Sequence, residues 1–128
     1  MIVAVFSGEL VIDEDLVNQT ENEIRKQIQE YLEKERKTFS LDTSFPGGGL
    51  GLVLRKASQI PYRETRTYGA VADELDIDKL KLGEYLDRNP LPLIIPSHRV
   101  VGENSIGSYE AGREVKRRLL ELERGNSD

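Results

Sequence analysis

The stretch IPSHRVV, residues 95–101, holds the residues with the clearest chemical potential, because Ser97 stands directly before His98, the chain's single histidine. A serine beside a histidine suggests a nucleophile with its general base. Such a base must approach the hydroxyl to about 2.6–3.2 Å, whereas neighbours in an extended chain point to opposite sides. The chain also has no G-x-S-x-G elbow. The pattern therefore argues against a serine hydrolase.

Metal and redox chemistry have little support in the composition. The chain has no cysteine and one histidine, which excludes disulfides and thiolate chemistry and argues against a zinc site. We expect neither a metal nor an organic cofactor. Three glycines at residues 47–49 could cradle a phosphate, but the spacing to a Lys-Ser/Thr pair is missing, so we interpret them as part of a linker.

The net charge of -5 is unevenly distributed along the chain. Residues 1–52 carry 5 Lys/Arg and 10 Asp/Glu, whereas residues 53–124 carry 13 and 12. In the second part the cations form two clusters, Lys79/Lys81/Arg88 and Arg113/Lys116/Arg117/Arg118. The positive electrostatic potential of such clusters can attract nucleic acid even when the protein as a whole is acidic. A solvent-exposed helix face that binds nothing has the same pattern of charged residues.

A length of 128 residues predicts one main domain with a buried core. No apolar run approaches the length of a membrane span, and MIVAVF at residues 1–6 is too short and too uncharged at its start for a secretory signal. We therefore expect a soluble, cytoplasmic, monomeric protein without a membrane partner, associated with the nucleoid if its source is prokaryotic.

The elements that must position these residues begin with an acidic segment. Residues 1–8 suit a strand and a turn, and residues 20–37 suit a helix that Thr20 caps. Its apolar face is assigned to packing rather than to chemistry and consists of Ile24, Ile28, Tyr31 and Leu32. A proline and the three glycines then predict a linker at residues 41–49.

Beyond residue 50 the pattern is mainly helical. One helix-like run ends before Pro61, a second helix is capped by Thr67, and a third is capped by Asp78. The second and third form a candidate helix-turn-helix, a pattern shared by many helical hairpins that bind nothing. A last amphipathic helix covers residues 113–124.

Two stretches carry a resemblance to a known family: IPYRETRTYG, residues 60–69, and NPLPLIIPSHRVVGENSIGSYEAGREVKRRLLELE, residues 89–123. They resemble the DNA-binding domain of O6-alkylguanine-DNA alkyltransferases, whose signature Pro-Cys-His-Arg-Val follows an Asn-Pro and an apolar run. In that family the cysteine takes the alkyl group from a guanine flipped out of the duplex, and the helix-turn-helix lies in the minor groove. Here Ser97 occupies the cysteine position.

The resemblance spans roughly residues 50 to 123 and implies an α+β fold. We expect a small, reduced N-terminal α/β unit at residues 1–40 and the Gly-rich linker at 41–49. A mainly helical, winged-helix-like helix-turn-helix DNA-binding domain should follow at 50–124, with a tail at 125–128.

The resemblance also implies roles for individual residues. Next to Ser97 it implies His98 as a base acting through water, Glu123 as the carboxylate partner of His98, and Asn89 as a hinge that hydrogen-bonds near the nucleophile position. The residues expected at the guanine pocket are Tyr109, Glu110 and Lys116. The residues expected to contact DNA are Tyr68, at the phosphate of the rotated nucleotide, Lys79, Leu80, Lys81, Arg88 and Arg99. Without the resemblance, Glu123 is a solvated helix end and Tyr109 a core residue.

The serine at position 97 decides the expected chemistry. Displacement at an alkyl carbon needs a soft nucleophile, and a serine hydroxyl has a far higher pKa than a poised cysteine thiol. We therefore expect the chain to bind O6-alkylguanine in duplex DNA without transferring the alkyl group. Leu80 takes the place of the family's base-displacing arginine, and an apolar wedge can still unstack bases.

Three hypotheses remain open from the sequence. In the first, the chain is a natural alkyltransferase-like protein that hands the lesion to another pathway, with nucleotide-excision repair proteins as candidate partners. In the second, it is a true single-turnover methyltransferase whose cysteine has been exchanged for serine. In the third, it is a helix-turn-helix transcription regulator that reads a palindrome as a dimer in the major groove.

Overall fold

The computed structural model describes residues 1–125, so most of the predicted tail, positions 126–128, lies outside the described residues. The α+β class is confirmed by five helices and two short sheets within this range. In chain order the elements are β1 (Ile2–Val5), β2 (Gly8–Val11), α1 (Glu21–Leu32), α2 (Gly48–Ala57), β3 (Arg66–Thr67), α3 (Tyr68–Leu75), α4 (Lys79–Leu86), β4 (Val100–Val101) and α5 (Arg113–Arg124). None of these helices has the length and apolar character needed to cross a bilayer.

An antiparallel hairpin of β1 and β2 opens the chain, and the sequence predicted only its first strand. The pairing sets Val3 opposite Leu10 and Val5 opposite Gly8. Val3, Val5 and Leu10 are buried, so the hairpin contributes one apolar face to the core. With the sequence GELV, β2 is too short and too polar to be predicted from alternation alone.

Helix α1 is shorter than its sequence predicted. Thr20 caps it as expected, since Thr20 Oγ1 accepts a hydrogen bond from Glu23 N at 3.2 Å. The helix ends at Leu32 instead of at residue 37. Lys34 adopts a left-handed backbone with φ of 64°, which a right-handed helix cannot contain, so the charged run after Leu32 leaves the helix.

The predicted linker at residues 41–49 is attached to the first segment. Thr43 forms an isolated β-bridge with Val17, and α2 already begins within the glycine run. A Cβ on Gly51 would lie 1.9 Å from the Pro46 carbonyl oxygen, so this helix packs directly on the backbone before it. The segment is therefore part of the packed structure.

One apolar core joins the N-terminal segment to the rest of the chain. Ile24 and Ile28 of α1 are buried in the same cluster as Leu82 of α4 and Leu119 of α5. The boundary predicted at residues 41–49 does not interrupt this core. Helix α5 begins and ends where the sequence predicted and packs one side against it.

Helices α3 and α4 form the predicted helix-turn-helix, and side-chain caps start both helices. Thr67 Oγ1 accepts from a first-turn N–H of α3 at 3.1 Å, and Asp78 Oδ1 accepts from a first-turn N–H of α4 at 2.7 Å. Cδ of Lys79 lies 3.6 Å from the position that a Cβ on Gly69 would take. The N-terminal turns of the two helices are therefore adjacent.

Strands β3 and β4 form a parallel pair, with Thr67 opposite Val101. β3 leads directly into α3, and β4 follows directly from a 3-10 helix at Ser97–Arg99. Because the carboxyl ends of parallel strands meet at one edge, Tyr68 at the start of α3 lies beside the loop that follows β4. This pair connects the helix-turn-helix to the turn that contains Ser97.

Replacing Thr67 by alanine removes the cap of α3. We expect the free energy of unfolding to fall by about 1 kcal/mol, the usual cost of a lost N-cap hydrogen bond. Urea denaturation followed by circular dichroism measures the loss. The exposed Thr65, two residues earlier, provides the matched control Thr65→Ala, and equal losses in both variants would contradict the role of Thr67.

Candidate functional site

Asn89 shapes the loop that carries Ser97. Its Nδ2 donates to Ile95 O at 2.9 Å and to Ser97 Oγ at 3.0 Å, and its Oδ1 accepts from Leu91 N at 2.9 Å. Asn89 and Ser97 are both almost completely buried. Because the Asn89 amide makes all three hydrogen bonds, it holds the apolar run at residues 90–96 in one conformation. The predicted hinge residue therefore contacts the nucleophile position.

His98 and Ser97 are neighbours in sequence but do not form a dyad. Residues 97–99 form one 3-10 turn instead of the extended chain assumed from the sequence. His98 Nε2 lies 2.7 Å from Glu123 Oε2, and His98 Nδ1 is buried without a hydrogen-bond partner among residues 1–125. Neither ring nitrogen is therefore bonded to the Ser97 hydroxyl.

The surroundings of His98 favour a neutral ring with its proton on Nε2. Complete burial lowers the pKa of His98, and this outweighs the Glu123 carboxylate, which raises it. Because an ionised carboxylate can only accept, the bond between the two residues requires the hydrogen on Nε2. Nδ1 keeps a lone pair, as a base acting through water requires.

The Glu123 carboxylate accepts hydrogen bonds from four residues. Besides His98, Arg99 donates through Nε and Nη2 at 2.9 Å each, Arg63 donates through its backbone N at 3.2 Å, and the Tyr31 hydroxyl donates to Oε2. Burial alone would raise the pKa of Glu123, but the bonds from His98, Arg99 and Tyr31 lower it to about 2. At 2% exposed, Glu123 is not a solvated helix end.

Lys116 is buried and binds three oxygen atoms of the protein. Its Nζ donates to Val100 O at 2.8 Å, to Ser108 O at 3.1 Å and to Tyr68 Oη at 3.2 Å. Burial lowers the pKa of Lys116 to about 8. The ammonium group ties β4 and the following loop to the first residue of α3.

Tyr109 and Glu110 lie in the loop between β4 and α5. The Tyr109 ring meets the His98 ring edge-on with centroids 6.4 Å apart, and its hydroxyl oxygen is buried with no partner in the described part of the chain. Burial raises the pKa of Tyr109. Partial burial and then the neighbouring Asp87 raise the pKa of Glu110 to about 7. The Tyr109 hydroxyl and His98 Nδ1 could therefore bind a molecule held near the Ser97 turn.

A surface cleft of about 460 Å³ lies between α3, α4 and the loop after β4. Three predicted DNA contacts line it: Tyr68, Lys79 and Leu80. Leu80 is 73% exposed, an unusual position for a large apolar side chain. The other charged residues of the lining are all acidic: Glu84, Asp87 and Glu103. The cleft thus combines an exposed apolar residue with a mainly acidic wall.

These features coincide with a match to a known family. Residues 51–125 match the family profile described as 6-O-methylguanine DNA methyltransferase, DNA binding domain. The chain belongs to the O6-methylguanine DNA methyltransferase family. The methylated-DNA--protein-cysteine methyltransferase of Archaeoglobus fulgidus is 35% identical over 111 residues, which cover 81% of this chain and 76% of that protein.

Other relatives are longer than this methyltransferase-family chain. The proteins of the same name from Methanocaldococcus vulcanius and Saccharolobus solfataricus are 46% and 45% identical over 71 residues, or 56% of this chain. The match spans 44% of the first protein and 47% of the second. The matched part of the chain therefore spans less than half the length of these two relatives.

Solved structures of the family share the fold. The Mycobacterium tuberculosis O6-methylguanine methyltransferase superposes with a TM-score of 0.74 at 31% identity, over 84% of this chain and 67% of that one. Mycobacterium tuberculosis OGT in complex with DNA gives a TM-score of 0.76 at 31% identity, over 81% and 67%. The superposed part of this chain is longer than the range 51–125 that matches the family profile, so the structural similarity includes part of the N-terminal segment.

The structure connects the four residues expected at the reaction site of the family. Asn89 binds Ser97, and His98, the next residue, binds Glu123. Of the expected DNA contacts, Lys81 and Arg88 are exposed outside the cleft lining, and Lys81 Nζ lies 5.1 Å above the centre of the Tyr85 ring. The roles of these residues toward DNA stay predictions.

Two predicted contact residues are internal. Arg99 is 7% exposed, and its guanidinium binds both oxygens of Glu123 and, through Nη1 at 2.8 Å, the Ile60 carbonyl. In this structure Arg99 is a partner of Glu123, and its predicted contact with DNA stays a prediction. Lys116, predicted beside the guanine pocket, is likewise occupied by protein oxygens.

Two residues outside the predicted site bind its carboxylate. Tyr31 lies on the face of α1 that the sequence assigned to packing. A tyrosine on a buried face needs a polar partner for its hydroxyl, and this need was the signal in the sequence that could have indicated a second role. Arg63 has φ of 75° and donates its backbone N–H to Glu123. That contact depends on backbone conformation, which no side-chain pattern shows.

Exchanging Glu123 for glutamine tests how strongly the carboxylate stabilises the fold. Its pKa of about 2 lies below the ordinary 4.5, so ionisation stabilises the folded protein above pH 4.5 and this contribution is lost as the pH falls toward 2. We expect Glu123→Gln to lose about 3 kcal/mol of unfolding free energy at neutral pH, with the difference shrinking in acid. Denaturant titrations across this pH range measure it.

The matched control is Glu121→Gln on the same helix, because Glu121 pairs with Arg117 near the surface. Such a pair contributes at most about 1 kcal/mol. A loss in Glu123→Gln no larger than the loss in this control would contradict the assigned role of the buried carboxylate.

Proposed function

We propose that this chain binds O6-alkylguanine in duplex DNA, flips the damaged base through the minor groove, and does not transfer the alkyl group. The observation that carries the proposal is a serine at the nucleophile position, beside the residues expected around it from the family resemblance. Asn89 binds the Ser97 hydroxyl, and the next residue, His98, is paired with Glu123. The residues expected around the nucleophile are present, but the cysteine sulfur that accepts the alkyl group in the family is replaced by the Ser97 hydroxyl.

A serine hydroxyl in this position is a poor nucleophile toward an alkyl carbon. Neither nitrogen of His98 is bonded to Ser97 Oγ, so a proton from the hydroxyl could reach His98 Nδ1 only through water. Burial also lowers the pKa of His98, which makes it a weaker base, whereas forming an alkoxide requires a strong one. Ser97 then acts as a small polar wall of the lesion pocket.

The cleft beside the helix-turn-helix supports an approach to the minor groove. The Tyr68 hydroxyl accepts from the Lys116 ammonium, which strengthens it as a donor to a phosphate oxygen. Lys79 supplies positive charge at the start of α4. Leu80 beside it is the exposed apolar side chain that would enter the base stack and fill the gap left by a flipped nucleotide.

Few cations are present to bind the DNA backbone. Lys79 and Lys81 lie on α4 and Arg88 lies just after it, whereas the cleft lining adds three acids. Three phosphate contacts correspond to a slope of about -3 in a plot of log affinity against log salt concentration. Contacts with the extrahelical base must therefore supply much of the binding energy.

The similarity to a family structure in complex with DNA supports DNA as the partner. Because a bound lesion is not consumed, the monomeric protein would mark it for another pathway, with nucleotide-excision repair proteins as candidate partners. The intact pairing of His98 with Glu123 favours a second candidate, a single-turnover methyltransferase whose cysteine has been replaced by serine. Both candidates are lesion binders without turnover.

We expect the protein to bind a duplex containing one O6-methylguanine about tenfold more tightly than the same duplex with guanine. Fluorescence anisotropy at several salt concentrations measures both affinities and the salt slope. Leu80→Ala should reduce the preference because the wedge is lost, whereas Leu52→Ala, which truncates another exposed leucine on α2, should not. Equal affinities, or tight binding of an undamaged palindrome by a dimer, would favour a transcription regulator.

Replacing Ser97 by cysteine distinguishes the two lesion-binding candidates. The thiol would pass its proton through water to His98 Nδ1, and the sulfur would bond the methyl carbon of O6-methylguanine. The carbon–O6 bond would break with its electron pair going to the base, which takes up a proton at N1. Because the surrounding bonds are intact, we expect mass spectrometry to show one methyl group on each Ser97→Cys molecule.

The control is Ser97→Ala, which should bind the lesion and remain unmodified. If Ser97→Cys binds normally and gains no methyl group, the chain is a natural lesion binder that holds the base out of reach, since a misplacement of about 1 Å can cost about 100-fold in rate. Methylation of the parent protein at Ser97 would contradict the proposed function.

A further inference from the structure

Tyr31 brings the N-terminal segment into contact with the reaction site. It lies on α1, outside the residues 51–125 that match the family profile, and it is fully buried. Its ring stacks on Phe39 with centroids 5.6 Å apart and meets Tyr62 edge-on at 6.0 Å. Its hydroxyl donates to Glu123 Oε2, the oxygen that also lies 2.7 Å from His98 Nε2.

Donors that share one carboxylate oxygen compete for its negative charge. Each hydrogen bond to a buried carboxylate draws charge toward its own donor, and the effect is large where water is absent. Arg99 Nη2 is a third donor to Oε2, at 2.9 Å. The field that His98 receives from Glu123 therefore depends on how firmly Tyr31 holds the shared oxygen.

We propose that Tyr31 is a positioning residue whose hydroxyl fixes the Glu123 carboxylate against His98 and takes up part of its charge, which keeps His98 neutral with its lone pair on Nδ1. This inference rests on the proposed function and deepens it. A neutral His98 offers a bound lesion or its water an acceptor and adds no positive charge to the pocket. The N-terminal segment thereby contributes to the site as well as to the core.

The charged and titratable groups around His98 determine the sign of the expected effect. They are Glu123 and Lys116 on α5, Arg99 on the same turn, Tyr109 in the following loop, and Tyr31 on α1, whose ring meets Tyr62. Burial lowers the pKa of His98, Glu123 raises it, and Arg99 and Lys116 lower it. Without the Tyr31 hydroxyl, Glu123 presents more charge to His98, which stabilises the imidazolium and raises that pKa.

Because the chain has a single histidine, every histidine ring signal in an NMR spectrum belongs to His98. The test compares the parent with Tyr31→Phe, which removes only the hydroxyl, and with Phe39→Leu, which changes the packing of the Tyr31 ring and keeps its hydrogen bond. We expect the His98 titration midpoint to shift to higher pH in Tyr31→Phe and to stay unchanged in Phe39→Leu. An unchanged midpoint in Tyr31→Phe, or an equal shift in both variants, overturns the proposal.

A second measurement uses the unmodified protein and does not depend on the folding of a variant. The Tyr31 hydroxyl proton and the His98 Nε2 proton point at the same oxygen, so a nuclear Overhauser contact should join them. Its absence, or a His98 ring protonated on Nδ1, overturns the proposal. Neither measurement uses DNA, so their failure is distinct from a failure of lesion binding.

Discussion

A carboxylate buried at the end of the last helix is the constraint on which much of this structure depends. An unpaired charge in the interior costs far more than a small fold can offset, so Glu123 requires donors on both oxygens. They come from α1, from the loop before β3 and from the 3-10 turn. Because these segments must be in place together, the carboxylate joins the N-terminal segment, the Ser97 turn and α5.

The same constraint shapes the chemistry of the site. His98 donates its one N–H to Glu123, which leaves Nδ1 as its acceptor, and the Ser97 hydroxyl is held by Asn89 instead. A serine hydroxyl has a far higher pKa than a cysteine thiol and gives no comparable soft anion to attack an alkyl carbon, whereas a thiol in the same place ionises readily. In the proposed function, whether the protein only binds the lesion or also accepts its alkyl group therefore depends on one atom, the oxygen or sulfur of the side chain at position 97.

Local patterns predicted the parts of the fold that local interactions decide. The caps Thr67 and Asp78 and the spacing along α5 placed three helices, because caps and apolar faces involve residues within a few positions of each other. The missed strand β2 and the early end of α1 at Lys34 depend on contacts with the rest of the chain. Propensity cannot supply such contacts, so those boundaries were wrong.

By itself the sequence determined the absence of a sulfur nucleophile, the family signature around Ser97 and the helix-turn-helix that lies beside it. Only the tertiary structure decided that Arg99 turns inward to Glu123, and that Tyr31, 92 positions from Glu123, completes the carboxylate's hydrogen bonds. The physical reason is that the type of a side chain determines which hydrogen bonds it can donate or accept. Its actual partner is determined by the packing of segments that are far apart in the chain.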